Sequence, residues 1–310
     1  MFSPAVLTAR RLAAVAAAAG SLVALLAPVS RAACIPARQV FSVRESAKVA
    51  FRQPSDLVLA GERLLVLDDL NGRVAVLDVQ GRGVGAIDLP AADKSSWLGL
   101  GFGGADQLFL ASAGDGRIVV LDLKGRTVRE FAVGEAGDAA RPAGVLVSRS
   151  SLYVIDAGTR RVRVYSLEGK PQNSWGGVGE GPAQFRAPFR IVQDSADRLL
   201  VTDALNSRVL VFTPKGEPLA AIGEFGTTEG TLFRPAGLAV LDGDRLLVAD
   251  NYFGSLQIFD AQGAYQGVLC GGDGRPLALE GPTGLAVRGH TVFVVETGAG
   301  RVSAWEIGAR

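Results

Sequence analysis

The stretch VLDDLNGRV, from Val66 to Val74, decides the fold because the chain repeats its pattern five more times. Each copy is a hydrophobic run ending in an acid or a serine, then a tight turn and a second hydrophobic run. The other copies are LASAGDGRI from Leu110, VIDAGTRRV from Val154, VTDALNSRV from Val201, VADNYFGSL from Val248 and VVETGAGRV from Val294. The acid column is Asp68, Ser112, Asp156, Asp203, Asp250 and Glu296, at intervals of 44 to 47 residues. A period of about 40 to 50 residues with several short strands predicts a β-propeller with one four-stranded blade per repeat.

Alternating apolar residues divide each repeat into strands. In the fifth repeat we expect strands at Ala236–Val240, Arg245–Ala249, Ser255–Phe259 and Ala264–Leu269. The last repeat offers only three strands, whereas a spare strand at Gln39–Val43 precedes the first repeat. We therefore expect an all-β, six-bladed propeller with four-stranded blades, closed by the N-terminal strand as the outer strand of blade six. Such closure removes open sheet edges that invite aggregation.

A second phrase, Pro-x-Gly-hydrophobic, begins the first strand of several repeats, at Pro142, Pro235 and Pro282. Glycine-rich loops with a Phe-Arg precede the strand starts at Pro188 and Pro235, GEGPAQFRAP from Gly179 and GTTEGTLFRP from Gly226. Together with the acid column, these motifs resemble the NHL-repeat family of six-bladed β-propellers across residues 50–310. The resemblance implies a single NHL-type domain, which we place at residues 33–310, and a scaffold that binds other molecules.

Residues 1–32 have the pattern of a secretory signal peptide. Arg10 and Arg11 precede an apolar run from Leu12 to Val29, and Ser30-Arg31-Ala32 offers small residues for cleavage. This predicts a periplasmic or extracellular protein. A retained membrane anchor is the alternative, because the run is close to the shortest length that spans a bilayer.

The chain has two cysteines, Cys34 and Cys270. A disulfide between them suits an oxidising compartment. Acylation of Cys34, just after the expected cleavage site, is a second possibility, and unpaired thiols are a third.

The charge balance argues against a nucleic-acid partner. Residues 1–32 contain three arginines and no acid, so their removal changes the formal net charge from +1 to −2. No basic surface of the kind that neutralises phosphates is indicated. We expect a protein or peptide partner, with membrane contact only through a lipid on Cys34.

The residue inventory argues against a resident metal or cofactor. His290, in a turn of the last repeat, is the only histidine. The NHL-like peptide-amidating lyases hold zinc with several histidines, which this chain does not possess, so zinc held by three histidines is excluded. Haem-attachment, phosphate-loop and Gly-x-Ser-x-Gly motifs are also absent from the sequence. We therefore predict no cofactor, no metal site and no catalytic residue.

Breaks in the repeat are the best indicators of a site. Aligned on the Pro-x-Gly phrase, the glycine column reads Asp56, Gly99, Gly144, Arg190, Gly237 and Gly284. Opposite charges therefore occupy repeats one and four, which face each other across a six-fold ring, with Phe189 beside Arg190 and Trp97 in the proline column of repeat two. These residues form a charged plug of the central channel, a ligand-binding mouth or a catalytic centre.

The fifth repeat replaces the usual polar turn with Asn251-Tyr252-Phe253. This turn is expected on the same face as Arg186 and Arg234, and exposed aromatic residues beside arginine are typical interface anchors. The alternative is that both rings pack over the blade edge.

These patterns favour an exported, non-catalytic scaffold that binds a protein or peptide in the cell envelope. The competing hypothesis is a lactonase- or lyase-like propeller enzyme with a divalent cation in the channel. Such an enzyme needs several carboxylates or amides converging at the mouth, and Asp56 is the only acid that the column alignment places there. Passive structural spacing in a surface complex is a third hypothesis.

Overall fold

The computed structural model describes residues 33–46, 48–90, 96–103 and 105–308, which belong to one compact unit. The predicted signal peptide, residues 1–32, lies outside the described residues. Within the described ranges the regular structure is β-strand, apart from three short 3-10 helices at Asp69–Asn71, Ala204–Asn206 and Asp242–Asp244. No helix in these ranges has the length and apolarity needed to cross a membrane.

Three strands precede four antiparallel sheets, each built from four consecutive strands. The first strands are β1 (Cys34–Val43), β2 (Glu45–Ser46) and β3 (Val49–Ala50). The first sheet contains β4 (Pro54–Ala60), β5 (Arg63–Asp68), β6 (Arg73–Asp78) and β7 (Gly83–Asp88). The second contains β8 (Trp97–Gly103), β9 (Gln107–Ser112), β10 (Arg117–Asp122) and β11 (Thr127–Ala132). The third contains β12 (Pro142–Val147), β13 (Ser151–Asp156), β14 (Arg161–Ser166) and β15 (Pro171–Gly176). The fourth contains β16 (Pro188–Gln193), β17 (Leu199–Asp203), β18 (Arg208–Phe212) and β19 (Pro218–Ile222).

The remaining strands form one eight-stranded sheet that also includes β1. They are β20 (Pro235–Leu241), β21 (Arg245–Asp250), β22 (Ser255–Phe259), β23 (Tyr265–Cys270), β24 (Pro282–Arg288), β25 (Thr291–Glu296) and β26 (Arg301–Ile307). The strand order is β20-β21-β22-β23-β1-β26-β25-β24. The prediction of six separate four-stranded blades is therefore wrong, because four such sheets are accompanied by one sheet of eight strands.

The length of β1 explains this difference. The sequence predicts a strand only over Gln39–Val43, but β1 begins at Cys34. Its first three residues pair in parallel with β23, and residues from Ala37 to Val43 pair in antiparallel with β26. One strand thus satisfies the backbone groups of two edges, which joins the last two repeats into a single sheet.

The sheets are arranged around a common axis. Their innermost strands, β4, β8, β12, β16, β20 and β24, contact one another in a closed cycle. Apolar side chains of neighbouring sheets fill the space between them; Leu65 and Val76 of the first sheet, for example, share one cluster with Trp97 and Leu110 of the second. The strand alternation seen in the sequence therefore corresponds to layers packed face to face.

The glycine column marks the closest approach of the innermost strands. A Cβ atom on Gly99 would lie 1.9 Å from the carbonyl oxygen of Ala143, and one on Gly144 would lie 2.6 Å from that of Phe189. Each innermost strand also shifts its register at this point, after its first residue. Side chains are thus excluded at Gly99 and Gly144 by a neighbouring backbone, so the charged residues in this column need their own structural explanation.

A disulfide joins Cys34 at the start of β1 to Cys270 at the end of β23. The two residues are 236 positions apart in sequence, with Cα atoms separated by 5.6 Å. A Cys34 sulfur engaged in this bond is not available for acylation. The covalent link therefore fastens the N-terminal strand at the position where it pairs in parallel.

We expect the Cys34→Ser/Cys270→Ser variant to lose about 2–4 kcal/mol of unfolding free energy, since the bond restricts the unfolded chain. Chemical denaturation of the variant beside the wild type under oxidising conditions measures this loss. Reduction of the wild type should produce the same shift. An unchanged midpoint in the variant would show that the bond adds no stability.

Candidate functional site

The acid column binds the loops of one face. Asp68, Ser112, Asp156, Asp203, Asp250 and Glu296 all have fully buried side chains at the end of the second strand of their repeat. Asp203 is typical, since its carboxylate accepts the backbone N–H groups of Arg186 and Ala187 at 2.9 Å and the side-chain amide of Asn206 at 2.6 Å. The five acids of the column therefore hold the incoming loops of their repeats, whereas Ser112 in the second repeat donates to Asp115.

In three repeats the acid is also contacted by an arginine that lies five residues after it in the sequence. Arg73, Arg208 and Arg301 form salt bridges with the acid of their own repeat. In the third repeat Arg161 is exposed, and Arg163 bonds to Asp156 instead. The five-residue spacing between acid and arginine in the sequence predicts that Arg161 contacts Asp156, and this prediction is wrong. Arg163 lies two residues further on the same side of β14 and also forms a salt bridge with Asp138.

The acid of the fifth repeat positions aromatic residues. One Asp250 oxygen accepts the backbone N–H groups of Phe233 and Arg234, and the other accepts those of Tyr252 and Phe253. A single buried carboxylate thus brings the incoming loop and the outgoing turn together. Because these are backbone bonds, the turn does not depend on the aromatic side chains themselves.

Four aromatic rings meet at this point, and we call Phe225, Phe233, Tyr252 and Phe253 the aromatic cluster. Tyr252 stacks on Phe233 with ring centroids 4.4 Å apart, and Phe253 meets both rings at steeper angles. Phe225 lies 5.4 Å from Phe233. Phe225 and Tyr252 are 70% and 62% exposed, which is unusual for large apolar side chains. The rings therefore pack on one another at the surface and leave much of their area to solvent.

Arginines surround a pocket beside this cluster. The pocket, which we call the arginine pocket, has a volume of about 450 Å³. Arg160, Arg186 and Arg234 line it together with Phe189 and Asn251. The remaining lining is mostly apolar, from Ala157, Ala187, Pro188, Ala204, Leu205, Ala236 and Thr283. Arg234 follows Phe233 and Asn251 precedes Tyr252 in the chain, so the pocket and the aromatic cluster are contiguous.

Asp56 and Arg190 form a buried ion pair between the first and fourth sheets. Arg190 Nη2 lies 3.3 Å from Asp56 Oδ1, and each residue is only 6% exposed. The Arg190 guanidinium also donates to the carbonyl oxygens of Ser55 and Leu98, at 2.7 and 3.2 Å. It lies over the Phe189 ring, 4.4 Å from the centroid, in cation–π geometry. One side chain therefore links the fourth sheet to the first two across the ring.

Burial dominates the protonation behaviour of the pair. Desolvation raises the pKa of Asp56, while the Arg190 charge and hydrogen bonds from the Leu100 and Leu57 N–H groups act in the opposite direction. Desolvation also lowers the pKa of Arg190, an effect that Asp56 opposes. Arg190 Nε has no hydrogen-bond partner among the described residues. The pair thus retains a desolvation cost that its contacts offset incompletely.

The structure divides the predicted binding residues into two groups. Arg186, Phe189, Arg234 and Asn251 line the arginine pocket, and Tyr252 and Phe253 belong to the aromatic cluster. The other three are buried: Asp56 and Arg190 in their ion pair, and Trp97 at 1% exposure in the core. That these three contact a ligand stays a prediction, and in this structure their side chains are enclosed by protein. The Trp97 ring instead fills the space between the first two sheets.

The two glycine-rich loops share a Phe-Arg in sequence, but aligning them on this pair gives the wrong structural correspondence. Bridges pair Val178 with Phe185 and, in the next loop, Phe225 with Leu232. Phe233 therefore corresponds to Arg186, and Phe185 corresponds to Leu232, so the shared Phe-Arg is one residue out of register. An alignment on the Asp203 and Asp250 hydrogen bonds gives the same register and identifies Phe225 and Phe233, which sequence analysis did not single out.

The described residues do not offer a metal-binding donor set. No group of three or more His, Cys, Asp or Glu side chains in these ranges is arranged to hold a metal ion. His290 lies exposed in the turn between β24 and β25. Asp56, the acid nearest the axis by the column alignment, is neutralised by Arg190.

Comparison with known proteins identifies the architecture. No protein-family model matches this chain, and no curated protein matches its sequence. A gluconolactonase from Xanthomonas campestris is similar in structure, with a TM-score of 0.65 at 15% identity over 83% of this chain and 86% of that one. Virginiamycin B lyase from Staphylococcus aureus gives a TM-score of 0.61 at 12% identity over 88% of this chain and 99% of that one.

A putative gluconolactonase gives a TM-score of 0.64 at 15% identity, covering 89% of this chain and 93% of that one. At such identities the similarity shows the fold alone. The protein is a β-propeller, in agreement with the closed cycle of its innermost strands.

Proposed function

We propose that this protein is an exported, non-catalytic NHL-type propeller whose loop face binds a protein or peptide of the cell envelope. The continuity of the aromatic cluster with the arginine pocket carries this proposal. Tyrosine, phenylalanine and arginine are enriched at protein interfaces, where rigid rings provide contact area at a small entropic cost. Buried backbone hydrogen bonds to Asp250 hold the rings in place before any partner arrives.

Export is supported by the signal-like sequence of residues 1–32 and by the disulfide. Disulfides persist in oxidising compartments such as the periplasm and are rare in the cytosol. The Cys34–Cys270 bond also favours anchoring of the N-terminal strand over lipid attachment at Cys34. We therefore place the mature protein in the periplasm or outside the cell, as a soluble partner of an envelope component.

A propeller enzyme is the alternative, since the similar solved structures include a lyase and gluconolactonases. Cation-dependent chemistry requires several oxygen ligands that converge on one point. The carboxylate of Asp56 already accepts two backbone hydrogen bonds and faces a guanidinium. This environment fits a structural role better than a cation site, so we favour binding over catalysis.

Capture of the partner tests the proposal. The protein, tagged at its C-terminus and expressed in the organism that naturally produces it, should retain an envelope protein after washing. N-terminal sequencing of the purified tagged protein should give a start close to Ala33. Tyr252→Ala should weaken capture by about 1–3 kcal/mol, as truncation of a modest to strong hot spot does. Its thermal unfolding should change by less than about 0.5 kcal/mol, because the ring is exposed.

Val128→Ala provides the control, since Val128 is also exposed but lies on the outer strand β11. It should leave capture unchanged. Full capture by Tyr252→Ala, or equal losses in both variants, would contradict a binding role for the aromatic cluster. An intact Met1 in the purified protein would contradict cleavage of a signal peptide.

A further inference from the structure

Arg160, like Ser207 in the next repeat, has a left-handed backbone although it is not a glycine. In every repeat the residue four positions after the acid has a positive φ, because the turn between the second and third strands requires it. These residues are Gly72, Gly116, Arg160, Ser207, Gly254 and Gly300, with φ between 53° and 65°. Glycine adopts this left-handed conformation without the steric cost that a side chain introduces. Arg160 therefore occupies a position where glycine is the less strained residue.

The side chain of Arg160 is directed to the arginine pocket, which it lines. Its Nη1 donates to the carbonyl oxygen of Gly158 at 2.9 Å, and its Nε donates to that of Arg186 at 3.3 Å. These bonds hold the guanidinium at the rim. Backbone strain that is retained at a concave site is typical of a functional residue.

The charges of the pocket are complementary to an anion. Three arginines line it, whereas none of its lining residues is acidic. Among the described residues, only Arg186 of the three forms a salt bridge, with Glu180 at 3.4 Å, and both of those side chains are more than half exposed. Such an exposed pair is weak and exchanges readily for another carboxylate. The apolar residues that line the rest of the pocket offer a contact surface for a hydrophobic group next to the anion.

We propose that the arginine pocket binds an acidic segment of the partner, in which a carboxylate side chain lies next to an apolar or aromatic one. The carboxylate is bound by Arg160, Arg186 and Arg234. The apolar side chain contacts the lining residues Phe189 and Leu205. The aromatic cluster extends the same surface. This inference rests on the proposed binding function and specifies the chemistry of the ligand.

Two capped peptides test the inference. The acidic probe is acetyl-Phe-Glu-Leu-Glu-amide, and the neutral probe replaces both glutamates with glutamine. Titrations of the full chain, followed by NMR at low ionic strength, should show about tenfold tighter binding of the acidic probe, the effect of one charge-assisted hydrogen bond. The difference should shrink as salt is added, because the pocket arginines are solvent-accessible.

Arg160→Gly is the decisive variant. It should weaken binding of the acidic probe about tenfold and at the same time raise the melting temperature by about 1–4 °C, because it removes the left-handed strain. Loss of binding together with a gain of stability cannot result from damage to the fold. Arg234→Gln should weaken binding similarly, whereas Arg245→Gln, at the start of β21, should leave it unchanged.

Equal affinity for the two probes overturns the inference, and so does binding of neither probe at millimolar concentration or unchanged affinity in Arg160→Gly. These outcomes leave the proposed function intact if Tyr252→Ala still weakens partner capture. Failure of the Tyr252→Ala experiment instead removes the proposed function, whatever the peptides do.

Discussion

Deletion of residues 33–43 is expected to lower the unfolding free energy on the order of 5 kcal/mol, more than the loss of the disulfide alone. The deletion removes β1 and exposes the edges of β23 and β26, which β1 now covers. It also removes the buried Ala37 and the Phe41 ring, which packs at 6.2 Å from Phe293. Two unpaired edges should in addition promote aggregation.

Chemical denaturation of the deletion variant measures the change, with Cys34→Ser/Cys270→Ser as the matched control. That control keeps the strand and lacks only the covalent link. The difference between the two variants therefore reports strand pairing and packing. If both unfold at the same denaturant concentration, β1 contributes nothing beyond its disulfide, and pairing of the two sheet edges does not stabilise the fold.

The second large effect is expected at the buried ion pair. Arg190→Met should destabilise the fold by about 3–5 kcal/mol, because it leaves the Asp56 carboxylate buried without its counter-charge. The double variant Asp56→Asn/Arg190→Met should recover about 1–3 kcal/mol, since it removes the unpaired charge. A cycle of the two single variants and the double variant, measured by denaturation, gives the coupling. Single variants of wild-type stability would falsify the structural role of the pair.

The pH dependence gives an independent check on the same variant. Desolvation already raises the pKa of Asp56, and removal of the Arg190 charge eliminates an influence that lowers it. In Arg190→Met, the pKa of Asp56 is therefore higher in the native state than in the unfolded state. Between these two pKa values the native state binds more protons than the unfolded state. Its stability should fall as the pH rises through that window, up to the native pKa. The double variant lacks this carboxylate, so a similar decline in both variants would assign the effect to other groups.

Part of the candidate site was predictable because it depends on local hydrogen bonding. The acid column recurs at regular intervals, and the buried acids at the strand ends bind their loops through backbone N–H groups in every repeat except the second, which has Ser112. That regularity placed Tyr252 and Phe253 on the face of Arg186 and Arg234. It failed at Arg161, where Arg163 on the same strand face takes the expected contact. Trp97, which occupies the proline column of repeat two, packs in the core between the first two sheets.

The sequence by itself determined the all-β class, the repeat, the strand alternation and the column in which Asp56 and Arg190 replace glycine. These follow from short-range periodicity and from steric demands that each repeat meets within its own residues. Only the tertiary structure decided that β1 joins two repeats into an eight-stranded sheet, because this depends on pairing between distant parts of the chain, Cys34 with Val268 and Ala37 with Ile307. The tertiary structure also decided that Asp56 and Arg190 are enclosed by protein. It likewise placed Phe225, Phe233 and Arg160 on the exposed face. Burial and side-chain direction depend on how neighbouring sheets close around the axis, and a strand pattern does not contain that information.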